Sequence, residues 1–164
     1  MAGDSELDSF YSAKYIFLRG LSEPRANSLH LVVQEAVVNP AGLPAFHPEL
    51  PELAEILKDT SPIESTDACR TFEPTWKRYV AYLVTDESVG SCGNYANEIF
   101  TGKLFRVYTK SHFLIHLARD TGGHTDALLH YKLICLNHLI DVAAYVPPEV
   151  QVIGPVSSSR ILIQ

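Results

Sequence analysis

Apolar and polar residues alternate in short runs along most of this chain. The longest apolar run, LLHYKLICLNHLIDVAAYV from Leu128 to Val146, is the stretch against which the others are expected to pack. With period two, and with Asn137-His138 as a two-residue turn because Asn tolerates a positive φ, it forms a hairpin of residues 130 to 136 against 139 to 145. Leu136 then faces Leu139, and Leu133 faces Val142. One face carries Tyr131, Leu133, Cys135, Ile140, Val142 and Ala144 and is wholly apolar. The other mixes Lys132, Ile134, Leu136, Leu139, Asp141 and Ala143, with Lys132 and Asp141 as diagonal neighbours able to pair. The same stretch also fits a helix begun by Asp126 as N-cap and stopped by Pro147-Pro148. The hairpin is the preferred reading; only the helix is expected to gather His130, Asn137 and Asp141 into one polar stripe.

Elsewhere the pattern predicts mostly strands. AKYIFLRG from Ala13 reads as a strand buried on both faces and ended by Gly20, and SLHLVVQEAVVN sets Leu29, Leu31 and Val33 against His30, Val32 and Gln34, so the two are expected to pair antiparallel. Four prolines between 40 and 51 predict a loop, ELAEILKD a turn or two of helix, and residues 70–73 at most an edge strand. WKRYVAYLVTDES has the strongest strand pattern, VGSCGNYANEIFTG reads as a long connection, and GKLFRVYTK as a strand with Leu104, Arg106 and Tyr108 on one face. Ser111 is placed to cap a helix HFLIHLARD that stops before Gly122-Gly123. VPPEVQVIG turns into a last strand, and Ile161, Leu162 and Ile163 leave an apolar tip. The expectation is a single α+β domain over 1–164, mainly antiparallel sheet with two short helices, with 1–12 and 155–164 as flexible or edge segments.

Composition narrows the function classes. A chain of 164 residues that is 46% hydrophobic and 20% charged, without an apolar run of transmembrane length or a basic leader, is expected to be a soluble cytoplasmic protein. Thirteen basic against 19 acidic residues give a net charge of -6, which argues against nucleic acid and anionic membranes as partners. Cys69, Cys92 and Cys135 have no metal spacing and an odd count, against a disulfide framework, and Cys135 reads as a core residue.

Three constellations have chemical potential. His112 and His116 share a helix face that Asp120 extends, with His124 and His130 following, a pattern that could hold zinc. No HExxH is present, and the simpler reading leaves these residues on the solvent side of a helix buried through Phe113, Leu114 and Leu117, so no cofactor is expected. Cys92 or Ser91 in the Gly-rich VGSCGNY, with His138 and Asp141, are candidates for nucleophilic catalysis, although Val89 stands where a G-x-S-x-G turn needs glycine. Glu35, in an apolar strand, is a candidate for half-burial with a raised pKa, while Asp86 and Glu87 read as a solvated strand end. Third, Tyr95 and Phe100, with Asn94, Asn97 and Glu98, form an aromatic loop suited to recognition.

WKRYVAYLVTDES, KLFRVYTKSHFL and HYKLICLNHLIDV resemble recurring blocks of small bacterial proteins of unknown function, over Trp76 to Val146. The resemblance implies a single-domain soluble bacterial protein and carries over no activity. The functional expectation is therefore a non-catalytic protein-binding module, immunity- or antitoxin-like or self-associating; the alternative is a small hydrolase, metal-assisted or thiol-based.

Overall fold

The computed structural model describes residues 10–41, 60–90, 96–123 and 127–154. Mainly antiparallel sheet with short helices, it contains β1 (Tyr15–Ser22), β2 (Leu29–Val38), β3 (Ile63–Glu64), β4 (Thr71–Trp76), β5 (Ala81–Asp86), α1 (Glu87–Gly90), β6 (Ile99–Thr101), β7 (Phe105–Lys110), α2 (His112–Asp120), β8 (Leu129–Ile134), β9 (His138–Ala144) and β10 (Glu149–Ile153). The strands form two sheets, where the sequence suggested one. Sheet 1 runs β1-β2-β4-β10 with β3 also on β2, and sheet 2 runs β5-β9-β8-β7-β6. Two sheets follow from the pattern itself: β2 and the β8–β9 hairpin each have a wholly apolar face, and each must be covered by another. The expected loop and helix between 42 and 59 and the apolar tip at 161–163 lie outside the described residues, and no helix within them is long and apolar enough to cross a membrane.

The inner faces meet in one core. Leu29, Leu31, Val33, Phe72 and Trp76 come from sheet 1, and Phe105, Tyr131, Leu133, Cys135, Ile140, Val142 and Ala144 from sheet 2. Trp76 packs on Tyr131 at 5.8 Å between ring centroids. Phe10, expected to lie in a frayed terminus, is instead fully buried and stacked 4.2 Å from Phe72, because it closes the end of this aromatic layer. Burial of a large apolar side chain is worth about 1.5–3 kcal/mol, so these rings dominate the stability of the fold. Not all of that gain is kept: Trp76 Nε1 and Tyr131 Oη are buried without a hydrogen-bond partner among the described residues. Burial also pushes the Tyr131 phenol up to about 12 and the Cys135 thiol likewise to about 12.

The hairpin reading of 128–146 holds, with its turn one residue earlier. Leu136-Asn137 makes the bend, Cys135 N–H donates to His138 O at 3.0 Å, and Lys132 lies directly opposite Asp141. Moving the turn by one residue moves every partner by two, so the two faces are those the alternation predicts. Asn137 is not there for a positive φ; the positive-φ non-glycine residues among those described are Asn27, Asn97 and Ala127. Its side-chain amide acts as a short piece of strand, with Oδ1 accepting Leu18 N–H and Nδ2 donating to Leu18 O, both at 3.0 Å. Together with Leu136 N–H donating to Ile16 O at 2.8 Å, this fastens the turn of sheet 2 onto the outer edge of β1.

Other differences have local causes. β1 continues to Ser22 because Gly20 follows a bulge at Arg19 instead of ending the strand, and it is buried chiefly on one face, through Ile16. β4 is central, between β2 and β10, although it contains Pro74. Its ladder to β2 is interrupted between Phe72 and Thr75, where the missing proline N–H leaves no donor. Trp76 ends β4, the chain crosses to the other sheet over 77–80, and β5 begins only at Ala81. The region expected to be a long connection, residues 89–102, contains β6 and the last two residues of α1.

Replacing Asn137 by Ala removes both bonds to Leu18. At about 0.5–1.5 kcal/mol each, the expected loss is about 1–3 kcal/mol by urea denaturation, with Asn137→Asp no milder, because its second carboxylate oxygen would face Leu18 O where Nδ2 donated.

Candidate functional site

The polar face of the β8–β9 hairpin lies on the outer side of sheet 2, under α2. Here His130 and Asp141, which the sequence was expected to bring together only in a helix, meet as diagonal neighbours of the hairpin: His130 Nε2 is 2.7 Å from Asp141 Oδ1. Asn137, the third member of that stripe, is away at the turn. On the other side of the ring His130 Nδ1 is 2.9 Å from Ser111 Oγ, and that oxygen also accepts Leu114 N–H at 3.1 Å as the N-cap of α2. Lys132 Nζ completes the cluster 3.0 Å from Asp141 Oδ1. Ser111, His130, Lys132 and Asp141 are all buried.

Proton placement follows from the partners. Asp141 is an acceptor, so His130 Nε2 donates to it; Nδ1 meets the Ser111 hydroxyl, whose oxygen accepts Leu114 N–H. Burial pushes the Asp141 carboxyl up, but the His130 hydrogen bond and the Lys132 charge more than reverse it, holding it below the ordinary carboxylate range. Tyr108 stacks on the His130 ring at 4.4 Å and Phe113 of α2 meets it edge-on at 5.1 Å.

A Ser–His–Asp chain has the order of a hydrolase relay, but access decides what it can do. Ser111 is 1% exposed, and its oxygen is held by the helix cap and the imidazole. A nucleophile must reach a substrate carbonyl about 3 Å away in the site. The hollow of about 430 Å³ beside α2, to which Ser111 contributes, is open and lined mainly by Leu114, Ile115, Ala118, Leu128 and Leu129. The chain of bonds fastens α2 to sheet 2.

The other sequence candidates are dispersed. His138 stands beside Asp86 at the end of β9, on the face opposite Asp141, because three residues along a strand reverse the side, so the expected His138–Asp141 pair does not form. Cys92, Asn94 and Tyr95, like Ser91 and His124, lie outside the described residues. His112, His116 and Asp120 are on the exposed side of α2, with His116 3.5 Å from Asp120, and no group of three or more potential metal ligands occurs among the described residues. Phe100 is in edge strand β6, not a loop; it is 41% exposed, with the Arg106 guanidinium 4.5 Å above its ring. Asn97 precedes it in a turn at φ 70°. Glu35 is half-buried as expected, but its pKa is lowered, not raised: hydrogen bonding to Arg70 outweighs burial, with Nη2 2.7 Å from Oε1 and Nε 2.8 Å from Oε2.

What sequence reasoning missed is the edge of sheet 2. WKRYVAYLVTDES has the strongest strand pattern in the sequence, yet the only ladder partner of β5 among the described residues is β9. Leu83 is 50% exposed on the outer face, Val84 38% on the inner face, and Val80 and Val89 are exposed beside them. The alternation of apolar residues on both faces is a signal of burial, and here part of that surface has nothing over it among the described residues.

Removing the charge with Asp141→Asn leaves Lys132 buried opposite a neutral amide, and the expected cost is about 3 kcal/mol in denaturant unfolding. The sign of the pH dependence follows from the lowered pKa: Asp141's contribution is complete above the unfolded value near pH 4 and is lost as pH falls through the folded value, so wild type should lose more stability than Asp141→Asn below about pH 4. A fluorophosphonate probe should leave Ser111 unlabelled in the native protein, read by intact-protein mass spectrometry. Comparison with known protein families, curated proteins and solved structures finds no match, so the reading of these surfaces rests on their geometry.

Proposed function

We propose that the chain is a single α+β domain that acts as a non-catalytic protein-binding module and docks through the β5 edge of sheet 2. The observation that carries this reading is the condition of that edge. An outer strand presents unpaired backbone donors and acceptors, and proteins ordinarily blunt such strands with bulges, prolines, lysines, shortness or a covering segment. β5 has six residues without a bulge, a proline or a lysine, and it exposes apolar side chains on both faces. The same edge would accept an extended segment of another protein by strand addition, with main-chain bonds supplying affinity and the alternate side chains specificity. The acidic balance of the chain fits a protein partner and opposes nucleic acid.

The test is a photo-crosslinking amino acid at position 83, compared with one at the exposed Arg119 position on α2. A protein adduct specific to position 83 is expected, and the captured protein, once purified, should bind wild type at least about tenfold more tightly than Leu83→Lys. The introduced lysine faces Asp141 across the ladder and so should leave the fold intact. No adduct at position 83, or equal adducts at both positions, refutes the reading.

A further inference from the structure

We propose that the hollow between the chain leading into β1 and the β6–β7 turn binds a small organic phosphate monoester. It measures about 460 Å³, within the roughly 300–1,000 Å³ of ordinary small-molecule sites, and each sheet supplies one wall. The site is separate from the β5 edge, so it stands or falls without the docking reading.

Both walls are braced from the core. Phe10, fully buried and packed on Phe72 at 4.2 Å and Phe105 at 5.4 Å, anchors the first wall, and Ala13 N–H donates back to Phe10 O at 3.2 Å. Lys14 follows directly. On the other side Gly102 turns at φ 93°, where a Cβ would overlap Phe105 O and press on the Tyr11 ring, so only glycine fits. The next two carbonyls are both held, Lys103 O by Arg106 Nε at 3.1 Å and Leu104 O by Ile134 N–H at 2.8 Å. Lys103 is thereby presented from a braced turn.

The hollow has two cations and no carboxylate in its lining. Lys14 and Lys103 are exposed, and among the described residues neither side chain has an ion pair or a hydrogen bond. Glu35 lines the neighbouring hollow together with Ser12, Lys14 and Tyr15, but Arg70 occupies both its oxygens, at 2.7 and 2.8 Å. Nη1 of the same guanidinium donates to Ser12 Oγ at 3.0 Å, which leaves Lys14 without that carboxylate. A chain of net charge -6 repels anions over most of its surface, so two uncompensated lysines in one hollow mark where an anion gains.

The lining also selects the class of anion. Two ammonium groups from separate walls match a dianion, whereas a carboxylate neutralises only one. A phosphate monoester carries close to two negative charges at neutral pH, and lysine holds phosphate as a point charge that needs no fixed angle. The hollow is larger than one phosphate, and the rest of its lining fits an organic group. Tyr11, Tyr15, Ala13 and Leu104 supply aromatic and apolar surface, and the two phenol hydroxyls are donors for the phosphate oxygens.

Amide NMR shifts of the full chain, titrated with phenyl phosphate, test the proposal. Saturable shifts are expected at Ala13, Lys14, Gly102 and Lys103, with a Kd of about 1 mM or below. Inorganic phosphate should move the same amides more weakly, and benzoate, which has the ring but a single charge, should bind at least about tenfold more weakly. Lys14→Gln and Lys103→Gln should each weaken phenyl phosphate at least about fivefold, while Lys110→Gln, at an exposed lysine outside the hollow, should leave it unchanged. All three lysines are exposed, so the variants keep the fold. No saturation by about 10 mM, benzoate binding as tightly as phenyl phosphate, wild-type binding by both Lys14→Gln and Lys103→Gln, or an equal loss with Lys110→Gln each overturn the proposal. Inorganic phosphate binding as tightly as the ester overturns the organic part of the ligand.

Discussion

A carboxylate buried on the outer face of sheet 2 constrains the rest of that sheet. Asp141 is ionised where water does not reach it freely, and it is tolerable there only because His130 and Lys132 both point at it. Those partners sit on the neighbouring strand, so the bond holds the β8–β9 register. A slip of β9 by one residue would turn Asp141 into the core beside Phe105, Tyr131 and Leu133, and expose Ile140 and Val142. The hydrophobic face chooses the correct register by attraction, and the charged face punishes the wrong one. His130 passes the constraint on: its second nitrogen reaches the cap of α2, so the position of the helix is tied to the register of the hairpin.

This division of labour explains what was legible in the sequence. The inner face, Tyr131 to Cys135 and Ile140 to Ala144, is readable because strand alternation depends only on odd and even positions, which survive a turn misplaced by one residue. Ser111 as the cap of α2 is readable because the bond spans three residues. The contact of that same serine with His130 spans 19 residues and depends on β7 and β8 being neighbours, and strand order leaves no mark on one sequence. Glu35 failed for the same reason: its burial could be guessed from an apolar strand, but the sign of its pKa shift depends on Arg70, brought beside it from 35 residues away. Pro74 misled by a rule that is sound locally, since the proline sits in a central strand whose ladder lapses around it.

The edge of sheet 2 follows from the same limitation. Periodicity reports that Tyr82 and Val84 face one way and Ala81 and Leu83 the other; it does not report whether a strand lies on each side. Tyr82 shows how the edge is only partly closed: its hydroxyl reaches Glu23 from the β1–β2 connection at 3.0 Å, alongside Tyr79 at 2.8 Å, which ties the inner side of β5 across to sheet 1. The outer edge has no equivalent among the described residues. Leu83 is aligned in one row with Asp141 and Lys132, so β5 stands between the buried charge on β9 and the outer edge. A segment laid along β5 would cover Leu83 and lower the water content around Asp141, which strengthens its attraction to Lys132 and His130 at the same time. Docking at this edge and rigidity of the hairpin are therefore coupled through one row of side chains, and an occupied edge should make the sheet beneath it harder to open.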